Sequence, residues 1–414
     1  MPNEPYQMVD LQGLHARMAP ELARAMAEVV NASAFIKGTH VATFESRLAR
    51  ALEGGKGTPS CHVATCGNGT DALALALRAL GVGPGDEVIV PDFTFIATAE
   101  VVALAGATPV FADVDPATFQ LDPTSAERAR SSRTKAVVPV HLFGQCADMD
   151  ALVPWAASHG IAVLEDNAQS LGATWCGDAV SGTAGLLGQL GTTSFFPSKN
   201  LGALGDGGAV LGTDEALVGR VRRLANHGAE RKYHHLEVGV NSRLDGLQAA
   251  FLNVKLSHFD AMVARRREAA AMYDRALAAA NARWAADRER APETAQALAH
   301  GGTREPVQGP VRDPRSTHMF HQYCVLLPGG TDRNAVQDRL LKHGIPTAVY
   351  YPTPLSSQPA FSGLGRLVDG GTPVAHEVAG RILALPMHTE LTADMVGRII
   401  DELFRTLKDP KARP

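Results

Sequence analysis

A single lysine lies in a glycine-rich turn directly after an apolar strand pattern. The segment Ser194–Gly202 (SFFPSKNLG) places Lys199 two residues after a proline, and the run GDGG follows at 205–208. A lysine amine becomes nucleophilic only when it loses its proton, which a partly desolvated pocket beside a cationic ring promotes. Lys199 is therefore a candidate for a Schiff base, and the alternative is a solvated surface lysine.

A second candidate segment, Glu165–Gln169 (EDNAQ), follows the apolar run Ile161–Leu164. Ligands of open α/β sheets bind beyond the carboxyl ends of the strands. A carboxylate such as Asp166 at that edge can pair with a protonated pyridine nitrogen and keep such a ring electron-withdrawing. The alternative is an aspartate that caps the next helix.

The segment Cys66–Asp71 (CGNGTD) joins a predicted strand to a predicted helix. Its small residues allow a ligand to approach the backbone, and the first N–H groups of a helix suit a phosphate. The alternative is a tight turn in which Asn68 or Thr70 caps the helix.

These three segments belong to a regular alternation of strands and helices between residues 60 and 225, which predicts a mostly parallel sheet with helices on both faces. The predicted strands are His62–Cys66, Glu87–Val90, Pro109–Ala112, Ala136–Val140, Ile161–Leu164, Thr192–Phe196 and Gly208–Leu211. The predicted helices between them are Asp71–Leu80, Thr98–Ala105, Ala151–His159 and Glu215–Asn226. No helix separates the last two strands, so one edge of the sheet is expected to be antiparallel. Lys199 and Asp166 should lie at the same edge.

The character of the chain changes after Asn241, and we expect two domains: residues 1–245 with the sheet, and 246–414 with a long connecting helix and a small C-terminal unit. The long helix is predicted over Asp245–Ala280. The Gly-, Pro- and charge-rich segment 292–314 is interpreted as an exposed loop or insertion. Further predicted elements are helices at Pro20–Val30, Phe44–Leu52, Arg333–His343, Val374–Leu383 and Ala393–Leu407, and a strand at Tyr323–Leu327.

Composition excludes several classes of protein. With 39 Lys and Arg against 43 Asp and Glu, the net charge of −4 gives no reason to expect nucleic acid or a membrane surface as a partner. The five cysteines form no CxxC pair, so neither a disulfide framework nor a metal site is expected. No run of 18 apolar residues and no signal-peptide pattern occurs, which favours a cytoplasmic enzyme.

The motifs together resemble the DegT/DnrJ/EryC1/StrS family of sugar aminotransferases, a branch of the fold-type I pyridoxal-phosphate enzymes. The resemblance rests on GNGTDALALAL, PDFTFIATA, HLFGQCADMD, EDNAQSLGA, SFFPSKNLGALGDGGAV and VGVNSRLDGLQAA. It covers nearly the whole chain apart from 292–314. The resemblance implies an α/β fold with a mostly parallel seven-stranded sheet and a smaller α+β C-terminal domain.

The resemblance also implies residue roles around pyridoxal 5'-phosphate. Lys199 would be the Schiff-base lysine, Asp166 would pair with the pyridine nitrogen, and Gln169 would contact the 3′-oxygen. The resemblance implies that the phosphate is held by Gly69, Thr70 and Ser194. Phe95 would stack on the ring, where an aromatic face positions the cofactor without adding charge.

Quaternary structure and substrate follow from the same resemblance. Asn241 would reach the cofactor phosphate of a neighbouring subunit, so a homodimer with shared active sites is expected. Glutamate would donate the amine to a nucleotide sugar. The subgroup that aminates C3 of UDP-2-acetamido-3-oxo-glucuronate for bacterial surface polysaccharide is the most similar. In it Arg243 would meet the sugar carboxylate and Tyr351 would line the sugar pocket, but Tyr350 stands where that subgroup has a histidine.

Alternatives remain open. Within the family these are a dTDP-3-oxo-6-deoxyhexose aminotransferase and a C4 oxo-sugar aminotransferase. The family's dehydratase branch has histidine in place of Lys199, which argues against that activity. A non-catalytic regulatory homologue would not need Lys199, Asp166, Gln169 and Ser194 together. A dinucleotide-binding dehydrogenase would need G-x-G-x-x-G, whereas residue 72 is alanine.

Overall fold

The structure, a computed structural model, describes residues 6–53, 60–290 and 305–408, without the side chains of 287–290. It begins with two helices, α1 (Leu11–Ala32) and α2 (Thr39–Leu52). The Asp10 carboxylate caps α1 by accepting a hydrogen bond from the Gly13 amide at 2.7 Å. The helix predicted at Pro20–Val30 therefore starts nine residues earlier and runs through Pro20.

The central sheet contains all seven predicted strands, each within three residues of its expected bounds. They are β1 (His62–Cys66), β2 (Glu87–Pro91), β3 (Thr108–Ala112), β4 (Thr134–Val137), β5 (Ala162–Asp166), β8 (Leu190–Ser194) and β9 (Gly208–Gly212). The short strands β6 (Thr174–Cys176) and β7 (Ser181–Thr183) lie between β5 and β8 along the chain and do not belong to this sheet. An eighth strand, β13 (Arg366–Leu367), pairs in parallel with β3. The sequence did not reveal β13 because a two-residue strand carries no periodicity.

The direction of the strands differs in one respect from the prediction. The order is β1-β9-β8-β5-β4-β2-β3-β13, and β9 is antiparallel to both β1 and β8. The reversed strand therefore lies inside the sheet and not at its edge. Because no helix separates β8 from β9, β9 runs back antiparallel beside β8. Strand β1 pairs with the other side of β9 and has the same direction as the parallel strands.

Helices cover both faces of the sheet. They are α3 (Gly69–Ala79), α4 (Ala97–Leu104), α5 (Pro123–Ala129), α6 (Met149–Ser158) and α7 (Glu215–Leu224). Alternate residues of β2 enter two different cores: Val88 and Val90 pack with α3, whereas Ile89 packs on the opposite face. Burial on both faces is why these strands appear in the sequence as continuous apolar runs.

The long helix predicted over Asp245–Ala280 is two helices, α8 (Gly246–Ser257) and α9 (Phe259–Arg290). The helix is interrupted at His258, where a φ of −106° and a ψ of 2° end α8. The core of the large sheet continues past this point, because it contains both Leu252 of α8 and Val263 of α9. The boundary at residue 245 stays a prediction from the sequence.

In the described C-terminal part, β12 (Tyr323–Leu326) pairs antiparallel with β14 (Ile382–Leu385), and the helices are α10 (Arg333–Lys342), α11 (Pro373–Arg381) and α12 (Ala393–Lys408). The helix predicted over Val374–Leu383 ends at Arg381, because the buried run ILAL forms β14 instead. Residues 292–304 lie outside the described residues. Residues 305–314 form an irregular segment in which Glu305, Pro306, Val311, Arg312 and Pro314 are exposed, so the prediction agrees with the structure only in part. Val307 is buried, and the backbone of Gln308 pairs with Leu326.

A further hairpin, β10 (Ala229–Arg231) with β11 (His234–His235), precedes α8. Among the residues that the structure describes, no helix is both long and apolar enough to cross a membrane.

Candidate active site

A cavity of about 670 Å³ opens where the carboxyl ends of the parallel strands meet. Segments after β1, β2, β5 and β8 line it, together with residues from the C-terminal part of the chain. Eight of the predicted site residues line this cavity: Gly69, Thr70, Phe95, Asp166, Gln169, Ser194, Lys199 and Tyr351. The expectation that Asp166 and Lys199 share one edge of the sheet is therefore met in the structure.

Asp166 is the last residue of β5 and is only 5% exposed. The Thr98 hydroxyl donates to its Oδ2 at 2.9 Å, and the Ala168 amide donates to its Oδ1 at 3.2 Å. A buried carboxylate held in this way offers a fixed negative charge at the cavity wall. The sequence alone did not single out Thr98, although it stands in PDFTFIATA.

Lys199 lies in the turn that follows β8. Its amide donates to the Phe196 carbonyl at 2.8 Å, and a Cβ on Gly202 would lie 2.2 Å from the Pro197 carbonyl oxygen. The turn is therefore too tight for a side chain at position 202. Burial lowers the pKa of the Lys199 amine, and the nearby Asp166 carboxylate works in the opposite direction. The net effect lowers the pKa, so the neutral, nucleophilic amine forms more readily than on an ordinary lysine.

The start of α3 forms one corner of the cavity. Asn68 caps the helix by accepting from the Asp71 amide at 2.8 Å. A Cβ on Gly69 would lie 2.7 Å from the Ser194 Cβ, so only glycine allows α3 to approach the end of β8 this closely. Backbone N–H groups of the first turn, together with the hydroxyls of Thr70 and Ser194, can hold an anion at this corner.

Gln169 joins two sides of the cavity. Its Oε1 accepts from the Phe143 amide at 2.6 Å, and its Nε2 donates to the Tyr351 hydroxyl at 3.2 Å. The Tyr351 ring lies 6.1 Å from that of Phe95 between centroids. Phe95 is 52% exposed, which leaves an aromatic face open to a ligand.

Two predicted residues do not line the cavity of the single chain. Asn241 is exposed and Arg243 is half-buried. Between them, Ser242 Oγ donates to the Asp71 carboxylate at 2.5 Å and accepts from the Gly67 amide at 2.9 Å. The segment is thus fixed beside the first turn of α3. Within the described part of the chain, the Arg243 guanidinium has neither a hydrogen bond nor an ion pair.

His321 also lines the cavity and was not among the residues predicted from the sequence. Burial, with the charges of Lys199 and Arg266, lowers its pKa well below the ordinary value, so the imidazole is neutral. Its Nδ1 lies 3.3 Å from the Asn200 Oδ1. No motif flagged His321, because it approaches the cavity from the C-terminal part of the chain, more than a hundred residues away from Lys199.

Comparison with known proteins identifies one family that the whole chain resembles. The model of the DegT/DnrJ/EryC1/StrS aminotransferase family matches residues 17–404. The chain is 42% identical to a pleiotropic regulatory protein of Geobacillus stearothermophilus, over 96% of this chain and 97% of that protein. It is 41% identical to the UDP-2-acetamido-2-deoxy-3-oxo-D-glucuronate aminotransferase of Pseudomonas aeruginosa, over 93% and 96%. The crystal structure of S. venezuelae DesV in complex with a ketimine intermediate superposes with a TM-score of 0.84 at 34% identity, covering 98% of this chain and all of that one.

Proposed function

Because the chain belongs to the DegT/DnrJ/EryC1/StrS aminotransferase family, we propose that it transfers an amino group from glutamate to C3 of a nucleotide-linked oxo-sugar, with pyridoxal 5'-phosphate as cofactor. The observation that carries this proposal is the position of Lys199 and Asp166 on the wall of one cavity. A neutral amine and a fixed carboxylate are the two groups that this cofactor requires of its protein.

The cavity fits the cofactor. The corner in which Gly69 lies against Ser194 has backbone and hydroxyl donors for a phosphate but no space for a side chain at position 69. Asp166 offers an anion to a protonated ring nitrogen, and Gln169 offers an amide to the ring oxygen. Phe95 has an open aromatic face for the ring. When bound, pyridoxal phosphate supplies a carbonyl that takes up an amine and a ring that withdraws electrons.

Lys199 is the group that moves protons. Burial lowers the pKa of the Lys199 amine. Its Nζ atom can therefore accept a proton from the α-carbon of the amino donor and then deliver that proton to another atom of the reacting molecules. The same atom serves in the reverse direction when the oxo-sugar receives the amine. The pKa of His321 lies well below its ordinary value, so Lys199 is the stronger base of the two at this point of the cavity wall.

For the sugar, we propose UDP-2-acetamido-2-deoxy-3-oxo-glucuronate, in a pathway to bacterial surface polysaccharide. A relative of 41% identity carries that substrate in its name. Arg243, whose guanidinium has no partner within the described residues, would bind the C6 carboxylate, since arginine matches a carboxylate with two parallel hydrogen bonds. Tyr351 would line the sugar pocket. Tyr350, in place of the subgroup's histidine, cannot supply a positive charge there.

Asn241 supports a homodimer with shared sites as part of the same proposal. It is exposed and close in sequence to Ser242, which is tied to the first turn of α3. An asparagine at this position can reach the phosphate corner of a second copy that is related by twofold symmetry.

A regulatory role is the second candidate, because a relative of 42% identity is named a pleiotropic regulatory protein. Retention of Lys199, Asp166, Gln169 and Ser194 around one cavity favours catalysis. A dTDP-3-oxo-6-deoxyhexose or a C4 oxo-sugar as acceptor would change the sugar and leave the roles of these residues unchanged.

The test is amine transfer by the purified protein. We expect 2-oxoglutarate to form from glutamate when UDP-2-acetamido-3-oxo-glucuronate is added, and less of it with dTDP-3-oxo-6-deoxyhexoses or 4-oxo-sugars. Mass spectrometry of the sugar should show the amine at C3. A protein that binds pyridoxal phosphate but forms 2-oxoglutarate with none of these sugars would contradict the proposal and favour the regulatory role.

A further inference from the structure

Helix α8 carries a buried lysine, Lys255, to which the proposed function assigns no part. Its side chain is only 1% exposed. Burial lowers the pKa of its amine to about 8, so the charged form is unfavourable at this position relative to water. An apolar side chain of similar size is often no less stabilising than a buried charge, so the contact that Lys255 makes indicates what the residue does.

The partner of Lys255 is a backbone carbonyl and not an acid. Its Nζ donates to the Gly202 oxygen at 2.7 Å, and within the described part of the chain it has no other acceptor and no ion pair. His15 faces it from α1. Burial, with the charge of Lys255, lowers the His15 pKa, so this imidazole is neutral at neutral pH. The hydrogen bond to Gly202 is therefore the interaction that the buried amine serves.

Gly202 belongs to the turn that carries Lys199. The turn is closed by the Ala203 amide, which donates to the Phe195 carbonyl at 2.7 Å. A Cβ on Gly202 would lie 2.2 Å from the Pro197 carbonyl oxygen, so the two sides of the turn are in contact. The turn is thus one compact unit, and the position of Gly202 determines that of Lys199.

Helix α8 holds the same segment at a second point. The Gln248 Oε1 accepts from the Leu204 amide at 2.9 Å. Two helical turns separate Gln248 from Lys255, so both side chains lie on one face of α8. The segment after β8 is therefore attached to this helix through two backbone groups, one on each side of position 203.

We propose that Lys255, together with Gln248, is a positioning residue for Lys199: it holds the turn through the Gly202 carbonyl and so keeps the reactive amine in its buried place on the cavity wall. Lys255 is not among the residues that line the large cavity, so it acts through the turn and not on a ligand. This inference rests on the proposed function, which assigns the reaction to Lys199, and it adds the groups that hold Lys199 in place.

The experiment measures the ionisation of Lys199 in the full-length protein before cofactor is added, by competitive labelling with acetic anhydride over a range of pH. Lys199 lines the large cavity, so a small reagent can reach its amine. Mass spectrometry of the peptide that contains Lys199 gives the pH at which its labelling is half-maximal. In the wild type we expect this pH to be lower than for Nα-acetyl-lysine, because burial lowers the pKa of Lys199.

Lys255→Met removes the donor to Gly202 and should raise the half-maximal pH of Lys199. A turn that is no longer held lets water reach the amine, which stabilises its charged form. We expect a rise of about 0.5 to 1 pH unit, which corresponds to about three- to tenfold less neutral amine at neutral pH. Gln248→Leu should shift the value in the same direction, and it provides the test if Lys255→Met does not fold.

The matched control is Asn253→Leu, which removes hydrogen bonds between α8 and α2. The Asn253 Nδ2 donates to the His40 carbonyl at 2.9 Å, and its Oδ1 accepts from Arg47 at 3.2 Å. This variant should lower the melting temperature and leave the half-maximal pH of Lys199 unchanged.

An unchanged half-maximal pH in the Lys255 and Gln248 variants, or an equal rise in Asn253→Leu, would overturn the inference. A wild-type value equal to that of Nα-acetyl-lysine would overturn it together with the proposed role of Lys199. Neither sugar, glutamate nor cofactor enters the measurement, so the proposed amine transfer can fail separately.

Discussion

Gly69 and Ser194 lie in contact across the end of the sheet, with the first residue of α3 against the last residue of β8. A Cβ atom at position 69 would lie 2.7 Å from the Ser194 Cβ and 3.1 Å from its Oγ. The distance from the start of α3 to the turn that carries Lys199 is therefore set by the absence of a side chain. The proposed phosphate corner and Lys199 are therefore positioned by the same contact.

Gly69→Ala should weaken cofactor binding. The added methyl must push α3 away from Ser194, and overpacking of this kind costs about 1–3 kcal/mol. We expect a roughly tenfold or larger rise in the Kd of pyridoxal phosphate, measured by absorbance titration. Gly219→Ala is the control, because Gly219 lies within a helix and its new methyl group would meet no atom within 4 Å apart from its chain neighbours and the adjacent backbone of that helix. Equal affinities in the two variants would contradict the phosphate assignment.

Loading of the cofactor should depend on pH through Lys199. Because burial lowers the pKa of its amine, the neutral form is present at lower pH than in an ordinary lysine. Borohydride reduction traps the covalently attached cofactor, so the rate of attachment can be measured at each pH. This rate should rise with pH, and the pH at which it is half-maximal should be lower for the protein than for Nα-acetyl-lysine treated in the same way. Each unit of difference corresponds to about tenfold more neutral amine at neutral pH.

Two variants test whether the increase of the attachment rate with pH comes from Lys199. Lys199→Ala should retain no covalent cofactor after reduction, whereas Lys135→Ala, an exposed lysine, should behave as wild type. If the Lys199→Ala protein still held the cofactor covalently, another lysine would have to be the reactive one. A midpoint equal to that of N-acetyl-lysine would show that burial does not lower the pKa.

The sequence was sufficient to predict the residues whose position follows from the topology of the sheet. Asp166 and Lys199 come after neighbouring parallel strands, and parallel strands end at one edge. The position of each strand within the sheet was harder to predict. Strand β9 inserts between β1 and β8, and strand order depends on long-range packing that a local sequence pattern does not contain.

Two residues that the sequence did not single out show the same limit. Thr98 belongs to a motif that carries the family resemblance, yet nothing in PDFTFIATA indicates that its hydroxyl donates to Asp166. His321 reaches the cavity from the C-terminal part of the chain. Both contacts depend on long-range packing and are properties of the folded protein alone.

Asn241 gives a prediction about the dimer. If it acts on the site of the neighbouring subunit, co-expressed Lys199→Ala and Asn241→Ala chains should form mixed dimers with one intact site. That site has Lys199 from one chain and Asn241 from the other. We expect the mixture to recover amine transfer that neither variant shows alone, measured as 2-oxoglutarate formed per dimer. Activity no higher than the mean of the two variants would mean that Asn241 acts within its own chain or not at all.

Arg243 gives the last prediction, on the sugar. If its guanidinium binds the C6 carboxylate, Arg243→Ala should raise the KM for the 3-oxo-glucuronate about 10- to 100-fold, the range for a charged hydrogen bond. The UDP-linked 3-oxo sugar with a hydroxymethyl group in place of the carboxylate is the matched substrate, and its KM should change little. Arg243→Lys should recover only part of the effect, because an ammonium cannot form two parallel bonds to a carboxylate. An equal loss for both sugars would instead assign Arg243 to the diphosphate that they share.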